Sequence, residues 1–328
     1  MTATSPATPT TPAAPTTGTL PQDPPASRGA RLHRWDVRWG PYALIAPFFL
    51  FFAVFTLLPL LYTGWASLHR IELTAPERAE WAGLHHYARL LRNPLFWNAL
   101  RNTLVIGVLS TVPQLLTALA LAHLLHSRLR AATFWRVALL TPYATSVAAA
   151  TLVFSLLYGR DHGLVNWVLG ALGAGPVDWQ NGTWSARLAV SSIVVWRWTG
   201  YNALLYLAAM QAVPDELYES AELDGASRTR QFLHVTVPSL RPTILFTVVV
   251  STIGALQLFG EPLLFGGAGG QKGGASHQFQ TLGLFLYEQG WFTYHLGRAC
   301  AVAWTMFLLL LLIATGHGLA RRLLRKDG

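Results

Sequence analysis

The chain has 328 residues, is 52% hydrophobic and only 12% charged. A soluble domain of this size carries about twice that charged fraction, so one water-soluble core is excluded in favour of several apolar blocks of bilayer length. The formal charge of +9 then reports membrane orientation before it reports a polyanion, and no nucleic-acid partner is expected. The single cysteine, Cys300, allows neither an intrachain disulfide nor a cysteine metal cluster.

Residues 1–38 open with a stretch rich in Thr, Pro and Ala and read as a disordered tail. The tail lacks the basic-then-apolar order of a secretory signal, so the first apolar block is expected to be a retained helix. Six blocks qualify as spanning helices within a 39–320 domain. They are Tyr42–Thr63, Thr103–His126, Val137–Tyr158, Leu188–Met210, Thr243–Phe265 and Leu296–Gly316. The expected class is all-α. Pro47, Pro59, Pro113 and Pro142 interrupt some of these blocks, which bilayer helices tolerate. Residues 321–328 form a basic tail.

Orientation follows from Lys and Arg. Arg28, Arg31, Arg34 and Arg38, then Arg128, Arg130 and Arg136, fall on one side of the alternating spans. So do Arg228, Arg230 and Arg241, then Arg321, Arg322, Arg325 and Lys326. Both termini, and the polar loop 211–242, are therefore expected in the cytoplasm.

That loop is a charged, Gly-centred polar interruption between two spans. Asp215–Leu223 reads as a short helix, with Leu217, Tyr218 and Ala221 at helical spacing and an acidic remainder. Gly225 is placed to stop it. A second short helix carries Phe232, Val235 and Val237 and ends at Pro238 and Pro242. Two short helices around a sharp corner make a knob suited to a groove on another protein. A helix lying on lipid would carry basic rather than acidic residues. A plain structured connector is the remaining bland alternative.

No GxxxxGK[ST] phosphate cradle, GxSxG elbow or HExxH helix occurs, so no catalytic role and no cofactor or metal is expected. The run Gly266–Gly274 lacks the Ser or Thr of a phosphate loop and reads as a flexible outer loop. The adjacent His85 and His86 lack further ligands.

A polyhydroxyl solute needs aromatic faces and hydrogen-bonding groups near mid-membrane. The fourth block offers VVWRWTGYN, with Trp196, Arg197, Thr199, Gly200, Tyr201 and Asn202. Arg197 lies about 14 Å deep at ~1.5 Å per residue. It is read either as a solute contact or as a structural group pinned by carbonyls or a carboxylate. The fifth block offers Ser251, Thr252, Gln257 and Glu261, with Gly254 and Gly260 leaving room. Glu261 is expected nearer the outer face than Arg197, so a direct pair needs both side chains to reach.

The polar loop resembles the signature loop of ABC-importer permeases: glutamate–alanine–alanine, a spacer and glycine. Glu219, Ser220 in place of the usual alanine, Ala221, Asp224, Gly225 and Ala226 match it, with Phe232, Pro238 and Pro242 beyond. WAGLHHYARLLRNPLFWNALRNT, FWRVALLTPY, GLVNWVLGALG and LGRACAVAWTMFLL are similar to further segments of the carbohydrate permeases. QAVPDELYESAELDGA and LQLFGEPLLF resemble the disaccharide and oligosaccharide branch, such as cellobiose permeases.

The resemblance implies a six-span type I importer fold in a bacterial cell membrane. It also implies a second permease subunit in a heterodimer, a cytoplasmic ATP-binding subunit dimer and an external sugar-binding protein. It places Thr199, Gly200, Ser251, Gly254, Ala255 and Leu258 at solute positions, where Ala255 and Leu258 replace amides. An ion-coupled secondary transporter, a glycerol 3-phosphate permease and a non-transporting scaffold are the alternatives.

Overall fold

The computed structural model describes residues 41–126, 131–267 and 272–324. The tail 1–38, Arg128, Arg130, Arg325 and Lys326 lie outside them, as does part of Gly266–Gly274. The chain divides into two compact units, Met1–Pro59 and Leu60–Gly328. Helix α1 (Pro41–Ser67) begins in the first and ends in the second. In the first unit its side chains are almost all exposed. Its Ala53–Leu57 turn is π-helical, just ahead of Pro59, whose ring lacks an N–H and crowds the carbonyl four residues back.

Among the described residues of the second unit the regular structure is helical except for one antiparallel hairpin, β1 (His69–Glu72) with β2 (Ala75–Trp81). This hairpin corrects the all-α expectation. Pairing of His69 with Trp81 and Arg70 with Glu80 needs only a few residues of period two, and a search for bilayer-length apolar runs passes over it. The helices that follow are α2 (His85–Arg92), α3 (Pro94–His126), α4 (Ala132–Ala144), α5 (Val147–Leu157) and α6 (Leu164–Ala171). Then come α7 (Thr183–Gln211), α8 (Asp215–Leu223), α9 (Arg228–Ser239) and α10 (Arg241–Leu256). The last are α11 (Gly260–Phe265), α12 (Leu282–Tyr287) and α13 (Leu296–Leu324).

Among the described residues, three helices are long and apolar enough to cross a membrane: α1, α3 and the Leu296–Gly316 part of α13. The count rises to five if α4 with α5, bent by 91°, and α9 with α10, bent by 67°, are each one span. The expected count of six is thus not reached by length and composition among the described residues. The expected third span breaks at Thr145–Ser146, just past Pro142, where the Ser146 hydroxyl accepts from the Ala149 N–H at 3.1 Å. The expected fifth span stops at Leu256, and residues 257–259 leave the helix. The Leu258 carbonyl, freed from the helix ladder, accepts from the Thr281 hydroxyl at 2.6 Å, as the low-dielectric interior demands. By contrast α3 runs straight through Pro113.

Helix α7 is long enough to span but too polar to register as an apolar run. Its reason is burial in protein rather than lipid: about half its residues are covered, including Arg187, Ser191, Arg197 and Asn202. It packs along α3. Ala186, Ala189, Val190 and Ile193 meet Ile106 in one cluster. Ala203, Tyr206, Leu207 and Met210 meet Leu115, Ala118, Ala122 and Leu125 in another. Small side chains on both helices allow this close approach.

Candidate functional site

Two sites were expected, a loop for docking and a path for solute, and the structure shapes them differently. In the loop, α8 spans Asp215–Leu223, as the sequence predicts. Asp215 and Glu216 occupy its first turn, where the helix dipole favours negative charge. Its end is a Schellman motif: Ala226 N–H donates to Ala221 O, and Gly225 N–H to Glu222 O, both at 2.9 Å. Gly225 takes φ +75°, a conformation side-chain-bearing residues resist. The corner thrusts Leu223 outward, 90% exposed, beside exposed Glu219, Ser220 and Asp224, while Ala221 and Ala226 are half-buried.

The corner is tied back to the spans. Gln231 Nε2 donates to Ala226 O at 3.1 Å, and the Tyr218 and Thr236 hydroxyls meet at 3.0 Å. Phe232 does not join the exposed surface. It packs on the α3–α7 cluster and lies 4.3 Å from the His123 ring between centroids. A π-helical turn, Phe232–Thr236, precedes half-buried Pro238, the same relation as at Pro59.

The second feature is a cavity of about 440 Å³ enclosed by α3, α7, α10 and the break before α11. Arg197, Ser251, Gly254, Gln257, Leu258 and Glu261 line it as expected, and so does Ala255. Nothing lies near the position a Cβ would take on Gly254, so this glycine leaves open space. Trp198, Tyr201 and Phe259 add aromatic faces. Tyr201 stacks on Tyr143 at 4.8 Å, with Trp198 edge-on to both.

Three expected residues lie off the cavity. Trp196 turns outward, 40% exposed, against Phe154 at 5.3 Å. The Thr199 hydroxyl donates to Val195 O at 2.6 Å. Gly200 is a packing residue: a Cβ there would collide with the Leu139 carbonyl where α4 crosses α7. We expect Gly200→Ala to push α4 off α7, at the upper end of the roughly 1–3 kcal/mol that overpacking costs. Reduced membrane abundance on a quantitative blot checks this.

Sequence reasoning missed Ser110, Thr111 and Gln114, which line the cavity from α3. Gln114 Nε2 donates to Ser251 Oγ at 3.1 Å, joining α3 to α10. Their spacing places three polar groups along one side of a largely apolar helix, and that was the available signal.

Arg197 and Glu261 form a direct pair, Nη1 to Oε1 at 2.8 Å, with side chains only 10% and 7% exposed. Arg197 Nη2 also reaches Thr145 O at 3.4 Å. Glu261 was expected too near the outer face to meet it easily. The break at 257–259 corrects this, because the chain stops climbing at Leu256 and resumes only with α11.

Residues 103–326 match the family described as the binding-protein-dependent transport system inner membrane component. The arabinooligosaccharide transport permease AraP of Halalkalibacterium halodurans is 34% identical over 276 residues, covering 84% of this chain and 85% of the relative. The trehalose/maltose permease MalF of Thermococcus litoralis is 33% identical over 261 residues, covering 80% and 87%. The diacetylchitobiose permease DasB of Streptomyces coelicolor is 30% identical over 279 residues, covering 83% of each. Among solved structures, a chain of a bacterial ABC transporter that imports alginate superposes with a TM-score of 0.75 at 22% identity, over 89% of this chain and 98% of that one. The chain thus belongs to the family of binding-protein-dependent transport system inner membrane components.

Proposed function

We propose that this chain is the permease subunit of an ATP-driven carbohydrate importer in a bacterial cell membrane, forming half of the pore. The observation that carries this reading is the cavity, in which aromatic faces and amide and hydroxyl groups converge midway along α3 and α7. Trp198, Tyr201 and Phe259 suit the apolar faces of sugar rings, while Ser110, Gln114, Ser251, Asn202 and Gln257 suit hydroxyls. The names of the relatives, transport permeases for arabinooligosaccharides and for trehalose and maltose, support the class. We assign a disaccharide or oligosaccharide.

The partners proposed are a second permease subunit, a dimer of cytoplasmic ATP-binding subunits and an external sugar-binding protein. A solved alginate importer is described in complex with its loaded periplasmic protein. In this reading both termini and the Asp215–Pro238 loop face the cytoplasm. Glu219, Ser220, Ala221, Asp224, Gly225 and Ala226 form the surface that enters the ATPase, and Phe232 and Pro238 anchor it to the spans. ATP hydrolysis belongs to the partner, and this subunit is not an enzyme.

The buried Arg197–Glu261 pair favours a second reading, a secondary transporter coupled to an ion gradient. It argues against glycerol 3-phosphate, because Glu261 already neutralises the cavity's guanidinium. Uptake of labelled disaccharide into proteoliposomes separates the two. We expect uptake to require the ATP-binding subunits and internal ATP and to survive an ionophore. Uptake that persists without the ATPase and collapses with the gradient would establish the secondary transporter instead.

A further inference from the structure

The end of the bundle opposite the polar loop holds a second cavity, about 330 Å³, that the transport reading does not use. Helix α3 separates the two features. Its last turns carry His123 and His126, whose rings face Phe232 and Tyr218 of the loop. Its first residue, Pro94, follows α2, some 50 Å away for 33 residues at ~1.5 Å each.

The cavity lies between β1, α2 and the start of α13. Arg70, Arg89 and Arg298 line it with His85, His86 and His295, and Glu72 is the one carboxylate among them. Arg70 reaches Glu80 at 3.7 Å, but both side chains are largely exposed and the pair is weak. Neither Arg89 nor Arg298 forms an ion pair among the described residues. Three guanidinium groups thus surround a pocket with one acid to balance them. Guanidinium forks match the oxygen geometry of phosphate.

His86 forms part of the wall of this cavity. The imidazole is 5% exposed, and its Nε2 is held at 3.0 Å by the His69 carbonyl. Its Nδ1 has no partner among the described residues, an arrangement that costs energy when buried. Burial and the neighbouring Arg298, His85 and Arg70 charges hold this imidazole below its usual pKa, against the pull of the His69 carbonyl. A phosphate group satisfies the three arginines together.

The surroundings fit a headgroup level. Trp81, Trp291 and Tyr294 stand at this end, 70%, 61% and 51% exposed, and such aromatics mark the membrane–water boundary. The Tyr294 carbonyl accepts from the Leu73 N–H at 2.8 Å, which fastens the hairpin beside the cavity.

We propose that this cavity binds a phosphate group, held by Arg70, Arg89 and Arg298, as a phospholipid headgroup or as free phosphate. The proposal rests on the reading of the chain as membrane-spanning and is independent of what the central cavity carries.

Thermal unfolding of the full-length chain, purified with its partner subunits in detergent and stripped of lipid, tests it. Inorganic phosphate and short-chain phosphatidylglycerol are titrated at matched ionic strength against chloride. We expect a saturable rise in Tm, with binding weakened about tenfold in Arg298→Gln and in Arg89→Gln. A rise with the lipid alone identifies the headgroup, and a rise with both identifies phosphate itself. No rise with either, or an equal rise in both variants, overturns the proposal. Arg89 is exposed, so its variant keeps the test decisive should Arg298→Gln fail to assemble. Failure of ATP-driven uptake with the Tm rise intact would overturn the transport reading and leave this one standing.

Discussion

Arg197→Ala is expected to leave the Glu261 carboxylate 7% exposed without its cation. Removing one member of such a pair costs about 3–5 kcal/mol, because the survivor keeps its desolvation penalty and loses its compensation. Thr145 O would also lose its guanidinium contact at the break between α4 and α5. The variant should reach the membrane at a small fraction of the normal level. Replacing both partners, as in Arg197→Met with Glu261→Gln, removes the stranded charge and should recover most of that level. Abundance and transport are to be measured on the same vesicles. If abundance recovers in the double variant while uptake per molecule stays low, the pair also meets the solute. If uptake recovers in step, the pair is structural. Undiminished abundance in Arg197→Ala would refute the stabilising role.

Gly225→Pro should abolish coupling and leave the spans in place. Proline cannot adopt the φ of +75° recorded there, and it removes the N–H that donates to Glu222 O. Both bonds of the Schellman motif then fail, and Leu223 loses its outward placement. Gly225→Ala keeps the N–H and pays only roughly 1 kcal/mol for the left-handed backbone, so it should retain partial transport. Asp224→Arg reverses a charge on the same exposed corner and should act like the proline. The measurement is ATP hydrolysis and uptake by the assembled importer. Sugar-stimulated hydrolysis and transport at normal rates in Gly225→Pro would sink the docking role.

The loop was legible because its signals are local. An acidic first turn, a glycine at the stop and prolines beyond specify α8 and its corner within a dozen residues, and the helix bounds match. Spans α1, α3 and α13 were legible as apolar runs, though α3 begins earlier, at Pro94. What was not legible depends on the other helices. Ser146 caps the break at 145–146 locally, but Arg197 and Thr281 satisfy backbone groups at the breaks 145–146 and 257–259 from elsewhere in sequence. No window of residues reveals that. Glu261 was misjudged for the same reason, since a straight helix was assumed. Gly200, placed at a solute position by resemblance, lies off the cavity against the Leu139 carbonyl. The α3 side of the cavity was passed over because Ser110, Thr111 and Gln114 sit in a helix whose other faces are apolar.

The proline inside α3 has a mechanical consequence. At Pro113 the ladder lacks one rung, so the 33-residue rod has its greatest compliance there. Ser110, Thr111 and Gln114 flank that point and line the cavity. Under the proposed coupling, a push delivered to the His123 end through Phe232 would bend α3 at the depth of the cavity rather than pass rigidly to Pro94. Such bending would stretch the Gln114–Ser251 tether first.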